Sequence, residues 1–386
     1  MLFGNLEAIK LYSMHRTLEV FNDEVMYYSL LYILAVKMSR TFLCLLFETR
    51  SRQYAWDLTT FLKMVSSHQR LNVEHPNNTH DHSRWVNKSK YSENKDNFHQ
   101  WLVGFTDGDG SFTISKSNGK WTLFFKLTQN TYNLRLLHFI KSQLGVGSIY
   151  VNAKNLSADF RIRDRKTIGS VILPIFEKFP LLTSKYHSYS KFKEAYYILE
   201  NSNLTYPEKD KLLLELQSKK MAENYISPAW EVVNYEVNNT NEAKLVMSKY
   251  WVIGFTEAEG SFYLVSKTPT RIVHAFEITQ KLDVIVLKAI SSILGIKFAK
   301  KLTYYSVVTT NSRAIENIIS YFKNCMKGMK AVEFRIWERS YVKHKGGRSA
   351  SQPASVRSAT HEKLSKIREI IRNLRSIKLN KDFFRS

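Results

Sequence analysis

Residues 104–145 of this 386-residue chain recur as residues 254–295, and that internal duplication constrains the fold more than any other feature. Gly104-Phe105-Thr106 returns as Gly254-Phe255-Thr256, and Asp109-Gly110-Ser111-Phe112 returns as Glu259-Gly260-Ser261-Phe262, both at an offset of 150. Farther on, FFKLTQN (Phe124 to Asn130) matches AFEITQK (Ala275 to Lys281) at an offset of 151. LLHFIKSQLGVG then parallels VLKAISSILGIK, with Gly145 and Gly295 again 150 apart. Chance similarity does not preserve the order of so many blocks, so the chain carries two copies of one domain of about a hundred residues each.

Each copy reads helix, strands, helix, strands, helix. In KWTLFFKLTQ, Trp121, Leu123, Phe125 and Leu127 alternate with Thr122, Lys126 and Thr128, the period of a strand with one buried face. ADFRIRDRK repeats the pattern, with Phe160 and Ile162 opposite Arg161 and Arg163. Helices are expected to cover the apolar faces and leave the polar ones open. The chain has 57 basic and 34 acidic residues, a formal charge of +23, which favours a polyanionic partner. Two open basic sheets side by side suit the major groove of a duplex. The candidate nucleic-acid contacts are Lys116, Lys120, Lys126, Arg161, Arg163, Lys267, Arg271 and Lys281.

The stretch WLVGFTDGDGSF (Trp101 to Phe112) sets two acids where a helix ends. Gly110 is expected to stop that helix in the left-handed conformation. Carboxylates there oppose the negative end of the helix dipole, and the same misfit recurs in YWVIGFTEAEGSF (Tyr250 to Phe262). Gly104 and Gly108, like Gly254 and Ala258, make a small-residue stripe four residues apart, which lets two helices run at short axis separation. Carboxylates gathered at two such ends call for a hard cation, of which Mg²⁺ is the natural choice. Asp107 and Asp109 lie roughly 200° apart on a helical wheel, so geometry alone leaves open which acid of each pair binds metal.

LVGFTDGDG and VIGFTEAEG resemble the two motifs of single-chain LAGLIDADG homing endonucleases, a family that includes intron-encoded endonucleases and RNA maturases. The resemblance spans roughly Phe98 to Lys345. It implies an α+β fold of two pseudo-twofold-related αββαββα domains whose sheets form a DNA-binding saddle. It further implies that the second acid of each motif, Asp109 and Glu259, binds the catalytic metal with the carbonyls of Gly108 and Ala258. Gln129 and Gln280 match the family's glutamine, and Lys185 and Lys330 its basic residue near the last helix. Strand parity sets Gln129 in phase with the helix-facing side. Some members carry a basic residue four positions after the glutamine, where this chain has Asn133 and Val284. The implied activity is Mg²⁺-dependent double-strand cleavage of a long, asymmetric duplex by a monomer; the alternative is a maturase binding its host group I intron RNA.

Residues 1–98 read as a helical extension to about Leu71 followed by a polar connector, His75 to Asn97. The copies are expected at 99–200 and 249–345. Between them, 201–248 carries a helix after Pro207 and a polar stretch at Asn238 to Asn241. A basic tail, 346–386, includes a helix with Leu364, Ile367, Ile371 and Leu374 on one face. Lys37 and Arg40 interrupt the apolar run Tyr27 to Phe47, which falls short of the about 20 consecutive apolar residues of a membrane span. With only Cys44 and Cys325, a reducing interior is expected. Composition and the habit of the resembled family point to a mitochondrial protein.

Overall fold

The computed structural model describes residues 83–344 and 354–376. The expected N-terminal helices, the apolar run and Cys44 lie outside the described residues, as does the connector up to residue 82. Among the described residues, no helix is long and apolar enough to cross a membrane.

The first copy consists of α1 (Ser83–Asp109), β1 (Gly110–Ser117), β2 (Lys120–Asn130), α2 (Leu134–Leu144), β3 (Ser148–Asn152), β4 (Ser157–Ile162), a short α3 (Leu173–Lys178) and α4 (Lys185–Glu200). A connecting segment holds α5 (Tyr206–Ser218) and α6 (Thr240–Val246). The second copy follows as α7 (Lys249–Glu259), β5 (Gly260–Thr268), β6 (Arg271–Gln280), α8 (Val284–Leu294), β7 (Lys297–Lys300), β8 (Tyr305–Thr309), α9 (Ser312–Phe322) and α10 (Met329–His344). The chain then forms α11 (Ala354–Ser376). The sheets have strand orders β1-β2-β4-β3 and β5-β6-β8-β7, antiparallel throughout. Each copy therefore follows the expected αββαββα order, with an extra helix before its last.

Strand parity sorts the side chains as the alternation requires. Phe112, Leu123, Phe125, Leu127, Phe160 and Ile162 are buried beneath the helices. The Phe112 ring packs against Phe125, Phe176, Tyr189 and Phe192, with centroids 5.2–5.4 Å apart. At the repeat-equivalent position, Phe262 packs against Phe276, Phe322, Phe334 and Trp337. Burial of one Phe stabilises by about 1.5–3 kcal/mol, so these two clusters anchor the sheets to their helices. Gly145 and Gly295 end α2 and α8 at φ 70° and 62°, where a side chain would be strained.

Two expectations need correction. The helix carrying the first motif starts at Ser83, so residues 83–97 of the supposed connector are helical. Their polar composition gives no apolar period to read. Gly110 is not a left-handed cap either: it opens β1, and its repeat partner Gly260 is extended, with φ −74° and ψ 151°. What the position demands is space, because a Cβ at either glycine would collide with the preceding threonine, Thr106 or Thr256.

The connecting segment has local causes. Pro207 lies in the first turn of α5, and Thr205 and Glu208 form a capping box. Asn239 caps α6 by accepting from the Asn241 and Glu242 amides, both at 3.0 Å, which accounts for the polar stretch. Helix α11 buries Leu364 and Ile371 and packs against α10, β5 and β6. Its Arg368 donates to Ser266 Oγ at 2.5 Å.

Candidate functional site

Helices α1 and α7 meet through backbone. A Cβ on Gly104 would collide with the Trp251 carbonyl, and one on Gly254 with the Trp101 carbonyl. Gly108 lies against the Ala258 methyl and the Glu259 side chain. The four stripe residues thus face the other copy and bring both acid-bearing helix ends together.

The two acids of each motif have opposite fates. Asp107 is buried and accepts four hydrogen bonds: from the Leu182 amide (2.9 Å), the Thr183 amide (3.1 Å), Thr183 Oγ1 (2.5 Å) and Trp251 Nε1 (2.8 Å). Glu257 accepts from the Lys327 and Gly328 amides at 2.8 and 2.9 Å. Each first acid therefore fastens the loop that leads into the last helix of its own copy. Burial pushes the Asp107 pKa up to about 6 against the pull of these donors, and burial raises Glu257 also.

Asp109 and Glu259 are instead only half-buried, and Glu259 lines an open cleft with Gly108, Lys185 and Gln280. Gln129 Nε2 donates to Asp109 Oδ2 at 2.6 Å, and Gln280 donates to Glu259. Burial raises both carboxyls; for Glu259 the next cause is the charge of Asp109, so the two acids repel. Lys185 Nζ donates to the carbonyls of Thr106 (2.9 Å) and Gly108 (2.7 Å), while Lys330 Nζ donates to the Gly260 carbonyl (2.7 Å). The lysines are thus inequivalent, and the Gly108 carbonyl is engaged by Lys185. Among the described residues no group of three or more His, Cys, Asp or Glu is placed to hold a metal ion by itself. The donor set of two mutually repelling carboxylates and nearby carbonyls consists of hard oxygens, the kind a small divalent cation takes alongside water or phosphate oxygens.

A pH dependence follows. Carboxyls raised by burial favour the folded state when protonated, and that contribution is lost as pH rises through their folded values. Asp109→Asn removes one such group and relieves its repulsion of Glu259. Without divalent cation, the variant's melting temperature relative to wild type is expected to increase as pH rises through the raised folded value of the Asp109 carboxyl. Calorimetry in chelator checks this, and a constant difference refutes it.

The open face of the first sheet carries Lys126 opposite Arg161, with Thr128 and Asp159 beside them. Arg161 is tied to Asp159 at 2.5 Å and lies 4.8 Å from the Tyr150 ring centroid, while Arg163 lies 4.6 Å from that of Phe124. Lys120, Lys267, Arg271 and Lys281 are exposed. Lys116 departs from the expectation. It pairs in register with the buried Trp121, on the helix side, and makes a 2.5 Å ion pair with Asp210 of α5. The second open face is less polar: Tyr263, Val265, Val273 and Ala275 share it, and Val273 and Ala275 are buried. Arg368 and Arg372 of α11 share a cleft with Ser261, Tyr263 and Glu277 at its edge.

Sequence reading noted Asn133 only as a departure from the family pattern, without its contacts, and missed Asp283. Asn133 Nδ2 donates to Gln129 Oε1 at 2.7 Å, and its Oδ1 accepts from the Met329 amide of the other copy at 2.9 Å. Asp283 accepts from the Ser184 amide and hydroxyl at 2.6 and 3.0 Å. The two residues stand 150 apart, at the offset of the motifs, and that was the available signal.

A family model described as LAGLIDADG endonuclease matches residues 102–196 and again 252–341. A Schizosaccharomyces pombe protein named a probable intron-encoded endonuclease is 43% identical over 302 residues, 75% of this chain and 72% of that protein. A Kluyveromyces lactis protein named in the same way is 26% identical over 292 residues, 70% of each. Among solved structures, the I-SmaMI LAGLIDADG homing endonuclease bound to cleaved DNA superimposes with a TM-score of 0.58 at 22% identity, covering 70% of this chain and 95% of that one. Two matched motifs, paired helices and paired antiparallel sheets agree: this chain belongs to the LAGLIDADG endonuclease family.

Proposed function

We propose that the protein is an intron-encoded homing endonuclease that cuts both strands of a long, asymmetric DNA duplex as a monomer. The observation that carries this reading is the convergence of Asp109 and Glu259, each held by a glutamine, in a fold of two four-stranded antiparallel sheets. In this reading Asp109 and Glu259 hold the metal with the Gly108 and Ala258 carbonyls. Gln129 and Gln280 orient those carboxylates, and Lys185 and Lys330 offset charge that builds on the phosphate. Mg²⁺, when bound there, supplies Lewis-acid polarisation of the phosphate and a more acidic water. Lys185 donates to the Gly108 carbonyl, so its ammonium would lie beside a cation held there and beside the phosphate it meets. Lys120, Lys126, Arg161, Arg163, Lys267, Arg271 and Lys281 contact phosphate or base edges; Lys116 acts through α5 instead.

The relatives' names support the intron-encoded role, and a Saccharomyces cerevisiae relative named a mitochondrial protein, 36% identical over 218 residues, supports a mitochondrial setting. A maturase has no need of repelling carboxylates at a phosphate-facing cleft, so intron RNA is the less favoured partner. The test is incubation of purified protein with intron-less junction DNA and with intron RNA, with and without Mg²⁺. Cleavage of the DNA only with Mg²⁺ is expected; RNA splicing assistance without DNA cleavage would overturn the reading. Affinity for the duplex is expected to fall about 10³-fold or more between about 50 and 200 mM salt, as for proteins that neutralise several phosphates. A titration showing a flat salt dependence would remove the sheets from the interface.

A further inference from the structure

We infer that Asp283 and Asn133 are positioning residues through which each copy sets the catalytic lysine of the other copy. The inference rests on the endonuclease reading above. Both residues stand at the N-cap positions of helices, Asn133 before α2 and Asp283 before α8. Asn and Asp are preferred there because their side chains satisfy the free amides of the first turn. Neither does so: both caps lack a side-chain bond to their own helix.

Instead both reach across the pseudo-twofold axis to equivalent atoms. Asp283 accepts from the amide of Ser184, the residue before Lys185. Asn133 accepts from the amide of Met329, the residue before Lys330. Asp283 holds φ at 61° to make its contact, a left-handed conformation that Asn and Asp tolerate better than most residues. On the other side, a Cβ at Gly328 would meet Asn133 Oδ1 and push that side chain from its contact. Helix-cap bonds are given up at both sites and a left-handed backbone is accepted at Asp283, which local folding does not explain and a cross-copy clamp does.

The clamps connect to the acids. Met329, Asn133, Gln129 and Asp109 form a continuous chain with links of 2.9, 2.7 and 2.6 Å. The backbone before Lys330 in one copy is thereby coupled to the metal-binding carboxylate of the other. On the opposite side, the charge of Lys185 is felt at Asp283. Displacing a catalytic group by about 1 Å costs on the order of 100-fold in rate, so losing one clamp should slow one strand selectively.

The experiment measures the two strand-specific cleavage rates of Asp283→Gly, Asp283→Asn, Lys185→Ala and Gln280→Ala with a duplex labelled on both ends. Glycine accepts the left-handed backbone and removes only the clamp; asparagine retains an acceptor. Asp283→Gly is expected to slow, on the order of 100-fold, the strand slowed by Lys185→Ala, with Asp283→Asn largely restored. Equal loss on both strands, or a bias matching Gln280→Ala, would overturn the inference. Hydrogen exchange at the Ser184 amide gives a readout independent of cleavage: exchange must accelerate in Asp283→Gly, and unchanged protection overturns the clamp. A wild-type protein that cuts no DNA would instead overturn the endonuclease reading itself.

Discussion

Asp109→Asn and Glu259→Gln are each expected to lower double-strand cleavage by about 10³-fold or more while leaving duplex affinity nearly unchanged. The loss is at the upper end of what removing one preorganised electrostatic group costs, because each carboxylate is assigned both charge and metal coordination. The fold should not suffer. Gln129 stays oriented by Asn133, and the amide that replaces the Asp109 carboxylate would keep an oxygen to accept from Gln129. Asp107→Asn is the informative contrast. Asp107 is buried and holds four donors, so an amide nitrogen there must face an N–H. A buried donor left unsatisfied costs about 1–3 kcal/mol, and the loop before Lys185 would loosen. That variant should lose stability and cleavage together, measured by denaturant unfolding and strand-cleavage assays. Retained cutting by Asp109→Asn would end the two-acid mechanism.

Gly104→Leu and Gly254→Leu should be the most damaging substitutions for stability. Overpacking a core usually costs about 1–3 kcal/mol. Here the colliding atoms are carbonyl and amide backbone of the opposite helix, which no rotamer change can move, so the cost should reach or exceed the top of that range. The helices must part, and both acids move with them. Gly108 gives a finer test, because the group its Cβ would strike first is the Ala258 methyl. Gly108→Ala should lower the melting temperature, and adding Ala258→Gly should recover much of it. Independent, additive effects of the two changes would mean that these residues are not in contact.

What was legible in the sequence was what repeats. The duplication gave the two copies, and two-residue alternation gave the inward faces of β2 and β4, including the direction of Gln129. Four-residue spacing of small residues gave the central helix pair. Residues 83–97 escaped because a polar helix stabilised from one end has no hydrophobic period. Lys116 was misassigned because its partner, Asp210, lies 94 positions away on a helix outside the repeat. The division of labour between Asp107 and Asp109 was left open by helix geometry, and only the family resemblance chose the second acid, for a related reason. Both are acids on one helix, and what separates them is a loop some 75 residues downstream that fastens one and not the other.

The central helix pair also bears on modularity. Glycines and backbone atoms say little about which helix lies opposite, so the contact at the axis is nearly a universal coupling. Identity must be encoded elsewhere, in side chains that cross the axis: Trp251 to Asp107, Ser184 to Asp283, Met329 to Asn133. A chimaera joining one half of this chain to half of a relative should assemble readily through the glycine stripe. It should nonetheless cut poorly until those three crossings are matched, which makes them the first positions to graft when recombining target specificities.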